Sequence, residues 1–195
     1  AGPWRIIACR FGGARQTEKA MSRVPRPLAA AVAVAALLCG WAVTPAAAAD
    51  EQVERGKYLV TFGGCVDCHT PGYFLGKPDM ARFLGGSDVG FFLPGGGTFY
   101  GPNLTPDKET GLGAWTRQQI VTALQTGVRP DGRILAPIMP WRAFAKLTRT
   151  DAQAIAAYLK SLPPVRNKAP GPFGPGETPT SFVMKVVPPQ EAAPR

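Results

Sequence analysis

The apolar positions of this chain fall into helical stripes at three places and lose all period between them. Val53, Gly56, Val60 and Gly63 recur at helical spacing, which predicts an amphipathic helix whose small Gly56 lets a second helix approach closely. Ile155, Tyr158, Leu159 and Leu162 repeat at i, i+3, i+4 and i+7, behind a Thr148-x-x-Asp151 start signal and ahead of Pro163 and Pro164. Between them, Thr116 and Gln119 make a capping-box pair for a helix carrying Ile120, Ala123 and Leu124, closed by Gly127. From Gly72 to Ala114, glycines and prolines interrupt every few residues, and the segment reads as loop. A loop of that length is functional or wrapped around something, and Phe91, Phe92, Phe99, Tyr100 and Leu104 are the side chains it offers to an apolar surface.

The two ends do not read as core. Arg23 and Arg26, the apolar run Leu28 to Val43 and the small residues Ala46 to Ala49 have the layout of an export signal cleaved before Asp50. Met21 is then the expected true start, against the alternative of a long basic leader. The apolar run is shorter than the roughly 20 residues of a membrane span, and no later stretch comes close. Cys39 follows a bulky Leu38, which suits lipoprotein processing poorly. The organisation expected is therefore residues 1–49 as upstream extension and signal, 50–164 as one domain, and 165–195 as a proline-rich tail. The tail carries an apolar patch at Phe182, Val183, Met184, Val186 and Val187 and reads either as a strap or as a disordered end.

The trim changes the charge. The whole chain has a formal net charge of +9, but sixteen basic against twelve acidic residues remain from Asp50 onward, leaving +4. Nucleic-acid binding loses its main argument, because the excess is largely in the leader. Gly95, Gly96 and Gly97 lack the Lys-Ser/Thr ending of a phosphate loop.

Chemistry enters with Cys65-Val66-Asp67-Cys68-His69, the attachment signature of c-type haem. Two thiols at i and i+3 add to the two vinyl groups, and the adjacent imidazole reaches iron. Cys65 and Cys68 are the only cysteines after the leader, and His69 is the only histidine of the chain. Three zinc-type ligands within five positions do not close a tetrahedral site. A thioredoxin-like pair belongs after a strand, whereas this motif follows a helical stretch. With the one histidine spent, the sixth position falls to Met, Lys, a terminus, water or nothing, and methionine is the natural candidate. Met80 lies only eleven residues after His69, and Met184 lies in the tail. Met139, between Pro137 and Pro140, is expected on a stiff extended segment and is the candidate; the competing reading makes it a core filler.

Over residues 51 to 164 the sequence resembles the class I cytochrome c domains. Arg55-Gly56-Lys57-Tyr58-Leu59, Tyr100-Gly101-Pro102-Asn103-Leu104-Thr105-Pro106-Asp107, Gly111-Leu112-Gly113-Ala114-Trp115-Thr116 and Met139-Pro140 are similar to cytochrome subunits of bacterial periplasmic dehydrogenases, both quinoprotein and molybdenum-containing. The resemblance implies an all-α fold with three or more helices around one covalently attached haem c, and long Gly/Pro-rich loops. It implies a non-catalytic electron carrier in the periplasm, free or peripheral on the inner membrane. Such a carrier takes electrons from a dehydrogenase and passes them toward an oxidase or another cytochrome of the respiratory chain. Trp115, Asn103 and Tyr100 become candidate donors to the haem propionates, with core packing as the alternative for Trp115. Many relatives carry three haem domains, and this chain has one motif. A haem enzyme or a gas or peroxide sensor with a labile sixth ligand is the alternative function.

Overall fold

The computed structural model describes residues 45–189. Most of the expected leader, with Met21 and Cys39, and the last six residues lie outside the described residues. Five α-helices form among the described residues: α1 Pro45–Phe62, α2 Cys65–His69, α3 Arg117–Thr126, α4 Trp141–Phe144 and α5 Arg149–Ser161. Helix α1 runs through the expected cleavage point before Asp50, and residues 46–51 are exposed. No helix among the described residues is long and apolar enough to cross a membrane.

The helices assemble where the apolar stripes meet. Helix α1 packs along α5, and α3 packs on α5. Gly56 and Val60 of α1 are buried, as are Ala152, Ile155, Ala156 and Leu159 of α5. The crossing is close because Gly56 has no side chain: a Cβ there would overlap the Ala154 carbonyl and press on Tyr158 Cβ. Beside it, Arg55 Nε donates to Asp151 Oδ1 at 2.9 Å. Helix α3 starts with the reciprocal cap expected, Gln119 N donating to Thr116 Oγ1 at 3.2 Å and Thr116 N to Gln119 Oε1 at 2.8 Å. It ends on Gly127 at φ 74°, a left-handed position that favours glycine. Asp151 N donates to Thr148 Oγ1 to open α5.

The all-α expectation is corrected by a small sheet. Strands β1 (Val89–Leu93), β2 (Gly97–Tyr100) and β3 (Phe182–Met184) lie in the order β2-β1-β3. β1 and β2 are antiparallel, with Gly90 opposite Tyr100 and Leu93 opposite Gly97. Pro94 and Gly95 (φ 73°) occupy the middle of the connecting turn, and Gly96 N donates to Leu93 O; this is the chemistry of a type II turn. β3 comes from the tail and pairs parallel with β1.

The rest of the tail follows the same loops. Phe173 and Thr98 exchange backbone hydrogen bonds at 2.8 and 3.0 Å. Asn103, fully buried, donates from Nδ2 to Val165 O at 2.6 Å and Asn167 O at 3.2 Å, and its Oδ1 accepts from Thr105 N. Leu84, also fully buried, sits at φ 55°, its N–H donating to Thr70 Oγ1 and its carbonyl accepting from Leu104 N.

Candidate functional site

Gly64, at φ 65°, turns the chain out of α1 and into the five residues of α2. Spacing of three places Cys65 and Cys68 on one side of this single turn of helix, and both thiols are free. Burial pushes the Cys65 thiol up to about 11. Burial, then the Asp67 carboxylate, pushes Cys68 upward too. Both are therefore neutral thiols near pH 7, unlike the thiolates of a reactive redox pair.

His69 is buried, and its Nδ1 lies 2.7 Å from Pro102 O. A carbonyl can only accept, so Nδ1 carries the hydrogen and the lone pair is left on Nε2. Burial lowers the pKa of the ring, and the Pro102 carbonyl opposes it more weakly, so the imidazole stays neutral. The neighbouring Gly101 is what allows this approach: a Cβ on it would overlap the Cys68 carbonyl.

These groups open on a cavity of about 1380 Å³, larger than the roughly 300–1,000 Å³ of an ordinary small-molecule site. Phe91, Leu104, Ile120, Leu124, Ile155 and Leu159 give it apolar walls drawn from both the helices and the loops. All seven residues singled out from sequence line it: Cys65, Cys68, His69, Tyr100, Asn103, Trp115 and Met139. Met80 and Met184 are exposed and do not line it. Met139 is on a turn rather than the extended segment expected, because Pro137 takes the second position of a tight turn closed by Met139 N to Ala136 O at 3.0 Å.

The residues fit a covalently held haem: two neutral thiols, an imidazole with a free lone pair, a thioether and an apolar chamber of sufficient size. Two of the three candidate propionate donors have hydrogen-bond partners within the protein. Asn103 spends its amide hydrogens on the tail carbonyls and on Thr110 Oγ1, and Tyr100 donates its hydroxyl hydrogen to Ser181 O at 3.2 Å. Both form the wall and bind the tail to it. Trp115 remains available, held from behind by Lys160, whose Nζ donates to the carbonyls of Leu112, Gly113 and Trp115 at 3.0 to 3.1 Å.

Sequence reasoning missed Lys160, the Pro102 carbonyl and Arg129, which also lines the cavity. Gly101-Pro102 stands within one of the family-like segments, but nothing there marks the carbonyl as the partner of His69. The tail also contributes to the lining, from Lys168 to Pro172.

The family model for cytochrome c matches residues 53–163. The chain belongs to the cytochrome c family. It is 38% identical over 119 residues to a component of the nicotinate dehydrogenase of Pseudomonas putida, covering 61% of this chain and 9% of that protein. It is 37% identical over 147 residues to the cytochrome c subunit of the quinone alcohol dehydrogenase of Gluconobacter oxydans, covering 73% of this chain and 28% of the relative. With the fructose dehydrogenase cytochrome subunit of Gluconobacter japonicus the identity is 34% over 162 residues, 76% of this chain and 32% of the relative. The chain thus spans less than a third of the length of each of these three proteins.

Proposed function

We propose that this member of the cytochrome c family holds one haem c between α2 and the Met139 turn and carries single electrons. It would take them from a periplasmic dehydrogenase and pass them toward the respiratory chain. The observation that carries the reading is the convergence of Cys65, Cys68, His69 and Met139 on the lining of one apolar cavity. When bound, haem supplies a one-electron couple whose potential is set by its axial ligands and surroundings.

The chain's own residues supply the rest. Cys65 and Cys68 would anchor the cofactor through thioether bonds. The Pro102 carbonyl fixes the tautomer and orientation of His69, so that its Nε2 would be the atom that holds the haem iron. Met139 would offer its thioether as the second protein ligand to the iron, a donor that would favour the ferrous state and raise the potential. Leu124, Ile155 and Leu159 exclude water from the chamber. No nucleophile or acid–base pair is needed, so the chain acts as a carrier rather than a catalyst. The names of the relatives, cytochrome subunits of alcohol and fructose dehydrogenases, support a dehydrogenase as the donor. An export leader over residues 1–49 would place the protein in the periplasm, where haem attachment to cysteines is completed.

The test is reduction by the dehydrogenase that co-purifies with the protein from its own cells. Sharp ferrous bands that grow at the rate of substrate oxidation support the shuttle. A haem that stays ferric while the dehydrogenase turns over removes it.

A further inference from the structure

Two hydrogen bonds tie His69 to the loops, and the tail stands behind the partner in each. The ring donates from Nδ1 to Pro102 O at 2.7 Å, and the backbone carbonyl of His69 accepts from Gly86 N at 2.8 Å. On the first side, the Pro102 carbonyl belongs to the peptide shared with Asn103. That residue is fully buried and donates from Nδ2 to Val165 O at 2.6 Å and to Asn167 O at 3.2 Å. On the second side, the Gly86 N–H shares its peptide with Gly85 O, which accepts from Asn167 Nδ2 at 2.8 Å. One peptide thus stands directly between Asn167 and His69.

Asn167 reaches both sides at once. Its N–H donates to Thr110 Oγ1 at 3.2 Å, the hydroxyl that Asn103 Nδ2 also meets at 3.0 Å, and Arg82 donates to its side-chain oxygen at 3.4 Å. Two residues further on, the tail is still in close contact, for a Cβ on Gly86 would stand 3.1 Å from Ala169 Cβ. The family match ends at residue 163, so this grip comes from a segment outside it. Proline fixes φ at position 102, which leaves rotation of the Pro102–Asn103 peptide as the motion that would carry the carbonyl away from Nδ1. Asn103 resists that motion, because its amide would lose the tail carbonyls and be left unpaired in the interior.

We infer that residues 165–167 of the tail are a positioning clamp for His69, in which Asn167 holds the two peptides that carry the histidine's partners, Gly85–Gly86 and Pro102–Asn103. The inference rests on the haem reading above. A carbonyl held firmly on Nδ1–H makes Nε2 the more basic donor, and a more basic donor favours ferric iron. The clamp therefore holds the potential down, opposing the thioether.

The experiment compares holoprotein of wild type, Asn167→Ala, Asn167→Gln, Asn103→Ala and Ser181→Ala. Every substitution is neutral for neutral, so no change of net charge enters the potential. Ser181 is the control for the tail itself: its hydroxyl donates to Asp88 O at 2.7 Å and touches neither clamped peptide. His69 is the only histidine of the chain, so in tag-free ferrous holoprotein its ring N–H is one proton resonance. In Asn167→Ala that proton should exchange about tenfold faster, and the ferric–ferrous equilibrium should move about threefold toward ferrous iron, or about 28 mV upward at about 59 mV per decade. Asn167→Gln, which keeps an amide donor on a longer stem, should fall between Asn167→Ala and wild type. Asn103→Ala should move both readouts further in the same direction, and Asn167→Ala carries the test if that variant does not fold. Ser181→Ala should free the far end of the tail, seen as faster proteolysis near Phe182, with both readouts at their wild-type values.

A tail that is cut faster in Asn167→Ala while proton exchange and potential stay at wild type overturns the inference, since the contact would then serve the tail alone. A potential that falls in both asparagine-to-alanine variants assigns the tail to keeping water from the cavity and overturns it as well. So does a Ser181→Ala variant that moves both readouts as far as Asn167→Ala. A coloured protein with unmoved readouts sinks this inference alone, whereas a colourless wild type sinks the haem reading with it.

Discussion

The helical frame and the loop-and-tail half of the molecule enclose the same cavity by different physics. In the frame, α1, α3 and α5 meet through Val60, Ile120, Leu124, Ile155 and Leu159, and a fully buried side chain of this size contributes about 1.5–3 kcal/mol. In the other half, the buried positions include Thr70, Ser87, Thr98, Asn103 and Thr105, whose hydrogen bonds each contribute a net of about 0.5–1.5 kcal/mol. The frame is held by area, and the loops are held by satisfied polar groups. The difference teaches where each can be broken: the frame by adding volume at its closest approach, the loops by removing one acceptor or donor from a buried network.

The largest effect is therefore expected at the helix crossing. Gly56→Leu puts a branched side chain into the Ala154 carbonyl and Tyr158, and overpacking there should cost about 3 kcal/mol or more; urea unfolding of the holoprotein measures it. A loss under about 1 kcal/mol would mean that the two helices part at little cost. Next comes Asn103→Ala, which leaves the Val165 carbonyl with only its 3.4 Å hydrogen bond from Thr105 Oγ1 and strands the Thr105 N–H, and should cost about 2–3 kcal/mol. The same variant should release the tail, read as faster proteolysis after Val165 with the helices still protected from hydrogen exchange. If tail and helices lost protection together, the two halves would be one cooperative unit and the comparison would fail.

Smaller still is Thr116→Ala, which removes one half of the α3 capping box and should cost about 1 kcal/mol, seen as faster exchange confined to the first turn of α3. Smallest is the surface pair. The Arg55 hydrogen bond, with help from Thr148, holds the Asp151 carboxyl below its ordinary range. A carboxyl depressed in the folded state stabilises above its unfolded value of about 3.9, and the contribution is lost as pH falls through the folded value. Asp151→Asn should then lower stability slightly at pH 7 and converge on wild type in strong acid. Equal curves at all pH values would show that the pair contributes nothing.

The same division explains what could be read from sequence. Periodicity marks the frame because each helix buries one stripe, and the caps at Thr116 and Thr148 are local signals within four residues. The proposed attachment motif is legible because the residues it needs lie within five consecutive positions, Cys65 to His69. The β1–β2 hairpin escapes a reading by period, although Pro94-Gly95 between Val89-Gly90-Phe91-Phe92-Leu93 and Thr98-Phe99-Tyr100 is a turn signal. Its strands are four and five residues long, too short to show a period beside so many glycines. The pairing of β1 with Phe182–Met184 is not legible at all, since the partners stand more than ninety residues apart. Asn103 stands out as a donor, but the acceptors it serves are backbone carbonyls of the tail, which no residue type reveals. Lys160 and Arg129 read as ordinary surface cations, because only folding brings three carbonyls to one and an indole to the other.

The proposed covalent capture of haem by Cys65 and Cys68 is the central claim, and acid-acetone extraction of the purified protein tests it directly. The pigment should stay with the polypeptide in wild type and in Met139→Ala, and pass into the solvent or be absent in the Cys65→Ala/Cys68→Ala double variant. A colourless wild type, or one whose pigment leaves with the acetone, would contradict the account.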